Sequence, residues 1–101
     1  MNRFIRSSDF DAWLSGLADI NAKTRILARL QSAIHGNFGD CESVGEGVSE
    51  MRIHLGAGYR VYYTRTGKVI YILLAGGDKS TQNKDIVKAK RLARELKEAK
   101  P

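Results

Sequence analysis

The sequence predicts an α+β protein, with an N-terminal helical hairpin packed on a small antiparallel sheet and a basic helix at the C-terminus. Three observations predict it. Apolar residues recur at three- and four-residue spacing between residues 8 and 36, and again after residue 80. Between Glu50 and Leu74 they alternate or run together, broken at Gly56-Ala57-Gly58 and at Thr66-Gly67. The 101 residues suit a single domain, residues 1–101, with one modest core.

In chain order, Arg3–Arg6 is a short first strand. Ser8 and Asp11 have capping-box spacing, and Phe10, Trp13, Leu14 and Leu17 form the buried side of a short helix. Asp19 caps a second helix whose stripe is Ile26, Leu27, Leu30, Ala33 and Ile34, and Gly36 suits its end. Residues 37–50 read as a loop, a short strand near Cys41–Val44 and a bend at Gly45–Gly47.

In the strand Glu50–Leu55, Met51, Ile53 and Leu55 point one way while Glu50, Arg52 and His54 point the other. Tyr59–Thr64 sets Val61 and Tyr63 against Arg60, Tyr62 and Thr64 in the same manner. A three-residue loop at 56–58 pairs His54 with Arg60 and Arg52 with Tyr62, so that core meets core and polar meets polar. The second turn then pairs Tyr62 with Tyr71 and Arg60 with Leu73. Val69–Leu74 is apolar on both faces, as in an interior strand covered on both sides. Gly76-Gly77 breaks the strand and brings Lys79 back toward His54 and Arg60. Asp78 or Ser80 caps a last helix to about Lys97, with Ile86, Ala89, Leu92, Ala93 and Leu96 inward and ion-pair spacings at Arg91–Glu95 and Arg94–Glu98.

Charge is uneven. Residues 1–50 carry 5 Lys/Arg and 7 Asp/Glu, whereas residues 51–101 carry 12 and 4, within a net charge of +6. A basic half points to an anionic partner, with a solvated basic helix as the plainer reading. No apolar run approaches the ~20 residues of a membrane span, so no membrane association is expected. One cysteine, Cys41, and no apolar signal core fit a cytoplasmic protein. Two histidines and one cysteine, far apart, form no metal signature, and no cofactor motif is present.

The polar strand face gathers His54, Arg60, Arg52 and Lys79 as candidate catalytic residues. RNA is cut when its own 2′-OH attacks the adjacent phosphate. That step needs a base, an acid for the leaving 5′-oxygen and cations for the charge developing on phosphorus. His54 is the proton carrier of the group. Arg60 and Arg52 suit phosphate oxygens, and Lys79 adds a point charge. Tyr62, as a stacking or hydrogen-bonding residue, and Lys84 are the candidate substrate-binding residues. His35 at a helix C-terminus and Trp13 in the core read as structural.

Met51-Arg52-Ile53-His54, Gly58-Tyr59-Arg60-Val61-Tyr62-Tyr63 and Gly76-Gly77-Asp78-Lys79-Ser80-Thr81-Gln82, in that order, resemble the RelE/ParE toxin superfamily. Together with Gly45-x-Gly47-Val48-x-Glu50, they resemble most its HigB-like addiction module killer branch. The resemblance covers nearly the whole chain. It implies a RelE-like fold and the toxin of a type II toxin–antitoxin module, cleaving mRNA in the ribosomal A site without a metal. Its implied partners are the ribosome, mRNA and a cognate antitoxin of helix-turn-helix type. The superfamily's basic strand positions match Arg52 and His54, its motif arginine matches Arg60, and its basic residue after the next strand matches Lys79. A tyrosine used by RelE in the last segment has no match here; Asp85 stands near that position and no tyrosine follows Tyr71. The ParE branch poisons DNA gyrase on the same fold, and a non-catalytic antitoxin-binding module is a third reading.

Overall fold

Period-two alternation in the middle of the chain and period-3.6 stripes on either side produce one sheet between helical layers. The computed structural model describes residues 1–99; Lys100 and Pro101, the end of the expected domain span, lie outside the described residues. The elements are β1 (Arg3–Arg6), α1 (Ser8–Ser15), α2 (Ile20–Ile34), β2 (Cys41–Gly45), β3 (Val48–Ile53), β4 (Tyr59–Arg65), β5 (Ile70–Gly77), a 3₁₀ turn (Lys79–Thr81) and α3 (Gln82–Glu98). Strand order is β1-β5-β4-β3-β2. The sheet is mixed rather than antiparallel, because β1 runs parallel to β5. Helices α1 and α2 carry the chain from β1 across to the far edge at β2, and the antiparallel run β2-β3-β4-β5 then brings it back beside β1 in the same direction.

Helices α1 and α2 and the 3₁₀ turn each begin where a side-chain oxygen takes an orphan amide. The cap of α1 is Ser7, one residue before the expected Ser8: its Oγ accepts from Phe10 N at 3.0 Å and donates to Leu74 O at 2.9 Å. Of two adjacent serines, the one that also bonds β5 caps the helix. Asp19 accepts from Asn21 N and Ala22 N at the head of α2, and Gly36, at φ 95°, follows its C-cap His35. Asp78 caps the 3₁₀ turn, not α3, whose own cap residue Thr81 makes no capping side-chain bond.

One core packs Phe10 and Leu14 of α1 and Ile26, Leu30 and Ala33 of α2 against Met51, Ile53, Val61, Tyr63 and Leu73. The opposite face packs Ala89 and Ala93 of α3 on Val48, Tyr62, Leu74 and Ala75, with Ile86, Leu92 and Leu96 at its margin. The apolar run in β5 thus serves both layers, as expected of a strand covered on both sides. Among the described residues, no helix is long and apolar enough to cross a membrane.

The β3–β4 register departs from expectation by two residues. Ile53 pairs with Tyr59, Arg52 with Arg60, Met51 with Val61 and Glu50 with Tyr62. The loop therefore spans residues 54–58, and His54 lies beyond the strand instead of opposite Arg60. Between β4 and β5, Tyr63 pairs with Leu73 but Tyr62 with Ala75, so Leu74 is an extra, bulged residue. The pairings Tyr62–Tyr71 and Arg60–Leu73 do not form; Arg60 faces Gly77. The bulge puts Leu74 and Ala75 both in the α3 layer. Gly76 and Gly77 end β5 rather than interrupting it. Arg91 meets Glu95 as expected, whereas Arg94 reaches Glu46 at 2.8 Å instead of Glu98.

Candidate functional site

The β3–β4 end of the sheet carries an open pocket of about 450 Å³. Arg52, His54, Arg60 and Lys79 all line it, around the Gly56–Gly58 loop. Gly56 and Gly58 have φ of 54° and 77°, which lets the loop fold tightly beside the 3₁₀ turn. There Lys79 N donates to Ala57 O at 3.4 Å, and a Cβ at Gly58 would lie 3.4 Å from Lys79 Cβ. Lys79 therefore returns to this end of the sheet, as the strand order implies. Its turn is held by Asp78, whose carboxyl is kept below the usual carboxylate range by the Ser80 hydroxyl and then the Ser80 amide.

The cations do not stand alone. Arg52 Nε donates to Glu50 Oε1 at 3.1 Å, its Nη2 meets Glu42, and Asp40 lies 3.6 Å from Nη1. Asp40 also meets His54 Nε2 at 2.6 Å. That hydrogen bond, more than the nearby Arg52 charge, lowers the Asp40 pKa. His54 is 73% exposed, so the pair is wet and open to the pocket. The loop bearing Asp40 is clipped in place: Arg52 N donates to Asp40 O at 2.9 Å, and Arg29 donates to Arg52 O and Phe38 O.

Arg60 differs in being only 13% exposed. Its Nη1 donates to Gly58 O at 3.0 Å, while its buried Nε lies 3.4 Å from Glu50 Oε2 without a hydrogen bond. Glu50 is 1% exposed and also accepts from Tyr62 OH at 3.2 Å and Gln82 Nε2 at 2.9 Å.

Two expected substrate-binding residues are placed otherwise. Tyr62 is fully buried under α3 with its hydroxyl on Glu50, so it offers no face for a base to stack on. Burial first, and then the Glu50 charge, push its pKa well above the ordinary phenol value. Lys84 stands outside the pocket, in an adjoining groove of about 320 Å³ that it shares with Lys79, Ser80 and Asn83. His35 is the C-cap of α2, and Trp13 packs on the first core, 5.8 Å from the Phe10 ring. Asp85, near the position of the missing tyrosine, accepts from Thr81 Oγ1.

Asp40, Glu42, Glu50, Gln82 and Arg29 are site residues that the sequence reading passed over. The usable signal was Glu50, on the same strand face as Arg52 and two residues before it. Among the described residues, no group of three or more His, Cys, Asp or Glu is arranged to hold a metal ion.

Fold and site together define a small α+β protein with a mixed five-stranded sheet and a pocket lined by basic side chains at one end. No family model matches the sequence. The chain is 55% identical over 87 residues to an uncharacterized protein of Haemophilus influenzae, covering 86% of this chain and 88% of that one. The chain belongs to the same family as that protein.

Proposed function

We propose that this chain is the toxin of a type II toxin–antitoxin module, a RelE/ParE-superfamily endoribonuclease that cuts mRNA on the ribosome and is silenced by a cognate antitoxin. The supporting observation is the gathering of Arg60, Lys79, His54 and Arg52 around one open pocket. Those side chains match the needs of metal-free RNA cleavage. The 2′-OH oxygen attacks phosphorus, the bond from phosphorus to O5′ breaks, and a 2′,3′-cyclic phosphate and a 5′-OH result. His54 accepts the 2′-OH proton, and the departing O5′ takes its proton from solvent water in the open pocket. With His54 Nε2 engaged by Asp40, the other ring nitrogen is the one left for the first transfer. Arg60 and Lys79 meet the charge developing on the phosphate oxygens. Arg52, ringed by three carboxylates, joins them only as Asp40 and Glu42 give way to the phosphate.

Primer extension on cellular mRNA after induction tests this reading. Discrete new 5′-ends are expected; growth arrest with intact message rejects it. The balance of carboxylates against cations favours one second reading, a non-catalytic module that only captures an antitoxin, which predicts no growth arrest. Gyrase-dependent DNA breaks without mRNA cuts would instead identify a ParE-like gyrase poison.

A further inference from the structure

Arg52 and Arg60 sit directly opposite each other on β3 and β4. Like charges so placed repel. Glu50 pairs with Tyr62 in the same ladder, which sets it two residues from Arg52 along its own strand and diagonal to Arg60. Its two oxygens are divided accordingly: Oε1 takes Arg52, and Oε2 faces Arg60. Tyr62 and Gln82 both donate to Oε2, one from β4 and one from the first residue of α3. A carboxylate this deeply buried is tolerated only when it is paired and hydrogen-bonded. Here the pairing is with two side chains of the pocket, one of which, Arg52, also donates a hydrogen bond, and two further hydrogen bonds come from residues outside it.

We propose that Glu50 is a positioning residue, a buried anion that holds the Arg52 and Arg60 guanidinium groups at a set separation and is itself clamped by Tyr62 and Gln82. The role rests on the nuclease reading for its consequence, because the arginines so held are those offered to the phosphate. Glu50 never meets RNA; it acts through the two arginines. The burial of Arg60 Nε without a hydrogen bond carries the point furthest. The Glu50 charge, 3.4 Å away, offsets the loss of solvent there, so removing that charge frees Arg60 to leave its seat. Tyr62 thereby gains a role in place of base stacking, and Gln82 ties the start of α3 to the site.

Glu50→Gln keeps the shape and removes the charge. Tyr62→Phe combined with Gln82→Ala keeps the charge and removes the clamp, and it stands in if Glu50→Gln does not fold. In the free protein, amide-type NMR signals of the Arg52 and Arg60 Nε–H groups report the seat without any RNA. Their exchange with water is expected to quicken by about tenfold or more in Glu50→Gln, as a buried contact opens. On ribosome-bound message, turnover is expected to fall between about tenfold and about a hundredfold, with KM within about threefold, as for misplaced groups that act in the transition state. Unchanged arginine exchange in a folded Glu50→Gln, or in the double variant, overturns the positioning role even where RNA is cleaved. If the wild-type protein cleaves no RNA, the nuclease reading falls, and the arginine signals alone decide whether Glu50 holds the pair.

Discussion

Gly76→Ala tests the packing that brings the C-terminal half of β5 and the 3₁₀ turn to the pocket. Gly76 pairs with Val61 and lies in a strand with ordinary backbone angles, so alanine suits the backbone there. The obstacle is Trp13. A Cβ at Gly76 would fall well inside van der Waals contact with the indole Cε3, Cδ2 and Cζ3 atoms. Overpacking of this kind costs about 1–3 kcal/mol. The narrower unfolded ensemble of alanine offsets about 0.4–1 kcal/mol of it. The indole is only half-buried and can swing outward, which places the net loss at about 1–2 kcal/mol. For a domain of this size that is a fall in Tm of roughly 5–15 °C.

Urea denaturation followed by tryptophan fluorescence measures both parts, because Trp13 is the single tryptophan. Destabilisation and an altered native emission are expected together. Gly77→Ala is the internal comparison: its Cβ would meet Asp85 Oδ2 and lie 3.0 Å from Thr81 Oγ1, both ends of side chains able to rotate away. It is therefore expected to cost less than Gly76→Ala. A Gly76→Ala protein within about 0.5 kcal/mol of wild type, or the reverse order of the two variants, refutes the reasoning.

Other perturbations address the site. Asp40 has a depressed pKa, so its bond with His54 adds stability above the ordinary aspartate value of 3.8 and loses it as pH falls below that value through the folded pKa. The Tm difference between wild type and Asp40→Asn should accordingly be full at neutral pH and vanish at the acid end of a titration. Asp78→Ala removes the cap of the turn that carries Lys79 and is expected to cost about 0.5–1 kcal/mol in urea denaturation. On the nuclease reading, Arg60→Ala should lower mRNA cleavage by about a hundredfold or more, read by primer extension, and relieve growth arrest on induction.

The sequence made the helices legible because their stripes are long, and the cap of α2 is specific. Asp19, Gly36 and the Ile86–Leu96 stripe all stand where the pattern puts them. The faces of β3 and β4 were legible as well, since alternation separates Met51, Ile53 and Val61 from Arg52 and Arg60. Register was not, for a reason inherent in a period of two: sliding β3 against β4 by two residues leaves every side chain on its own face. Only loop geometry distinguishes the two pairings, and the loop here needs five residues. The β5 bulge was illegible because a strand apolar on both faces carries no phase. Tyr62 and Glu50 were misjudged together. They lie on a polar strand face, and nothing in β3 or β4 announces that α3 begins over that face. Gly76-Gly77, read as a break, was in fact a record of close approach by Trp13 on one side and Asp85 on the other.

The charge balance at the pocket bears on how a substrate reaches it. The sequence suggested a cationic face, but Arg52, Arg60 and Lys79 stand among Asp40, Glu42 and Glu50, leaving no net charge with His54 neutral. Affinity of a protein for free nucleic acid comes mainly from cations that replace counterions on phosphates, and a self-neutralised pocket supplies little of it. The basic excess lies instead in α3, and Lys79 joins the pocket to the groove of Lys84. A site of this kind suits a message presented to it more than one captured from solution. On the nuclease reading, the ribosome does the presenting, α3 contributes the long-range attraction, and the pocket need only discriminate the transition state. Asp40 and Glu42 then act as internal stand-ins for phosphate, keeping Arg52 occupied until an anion takes their place on it.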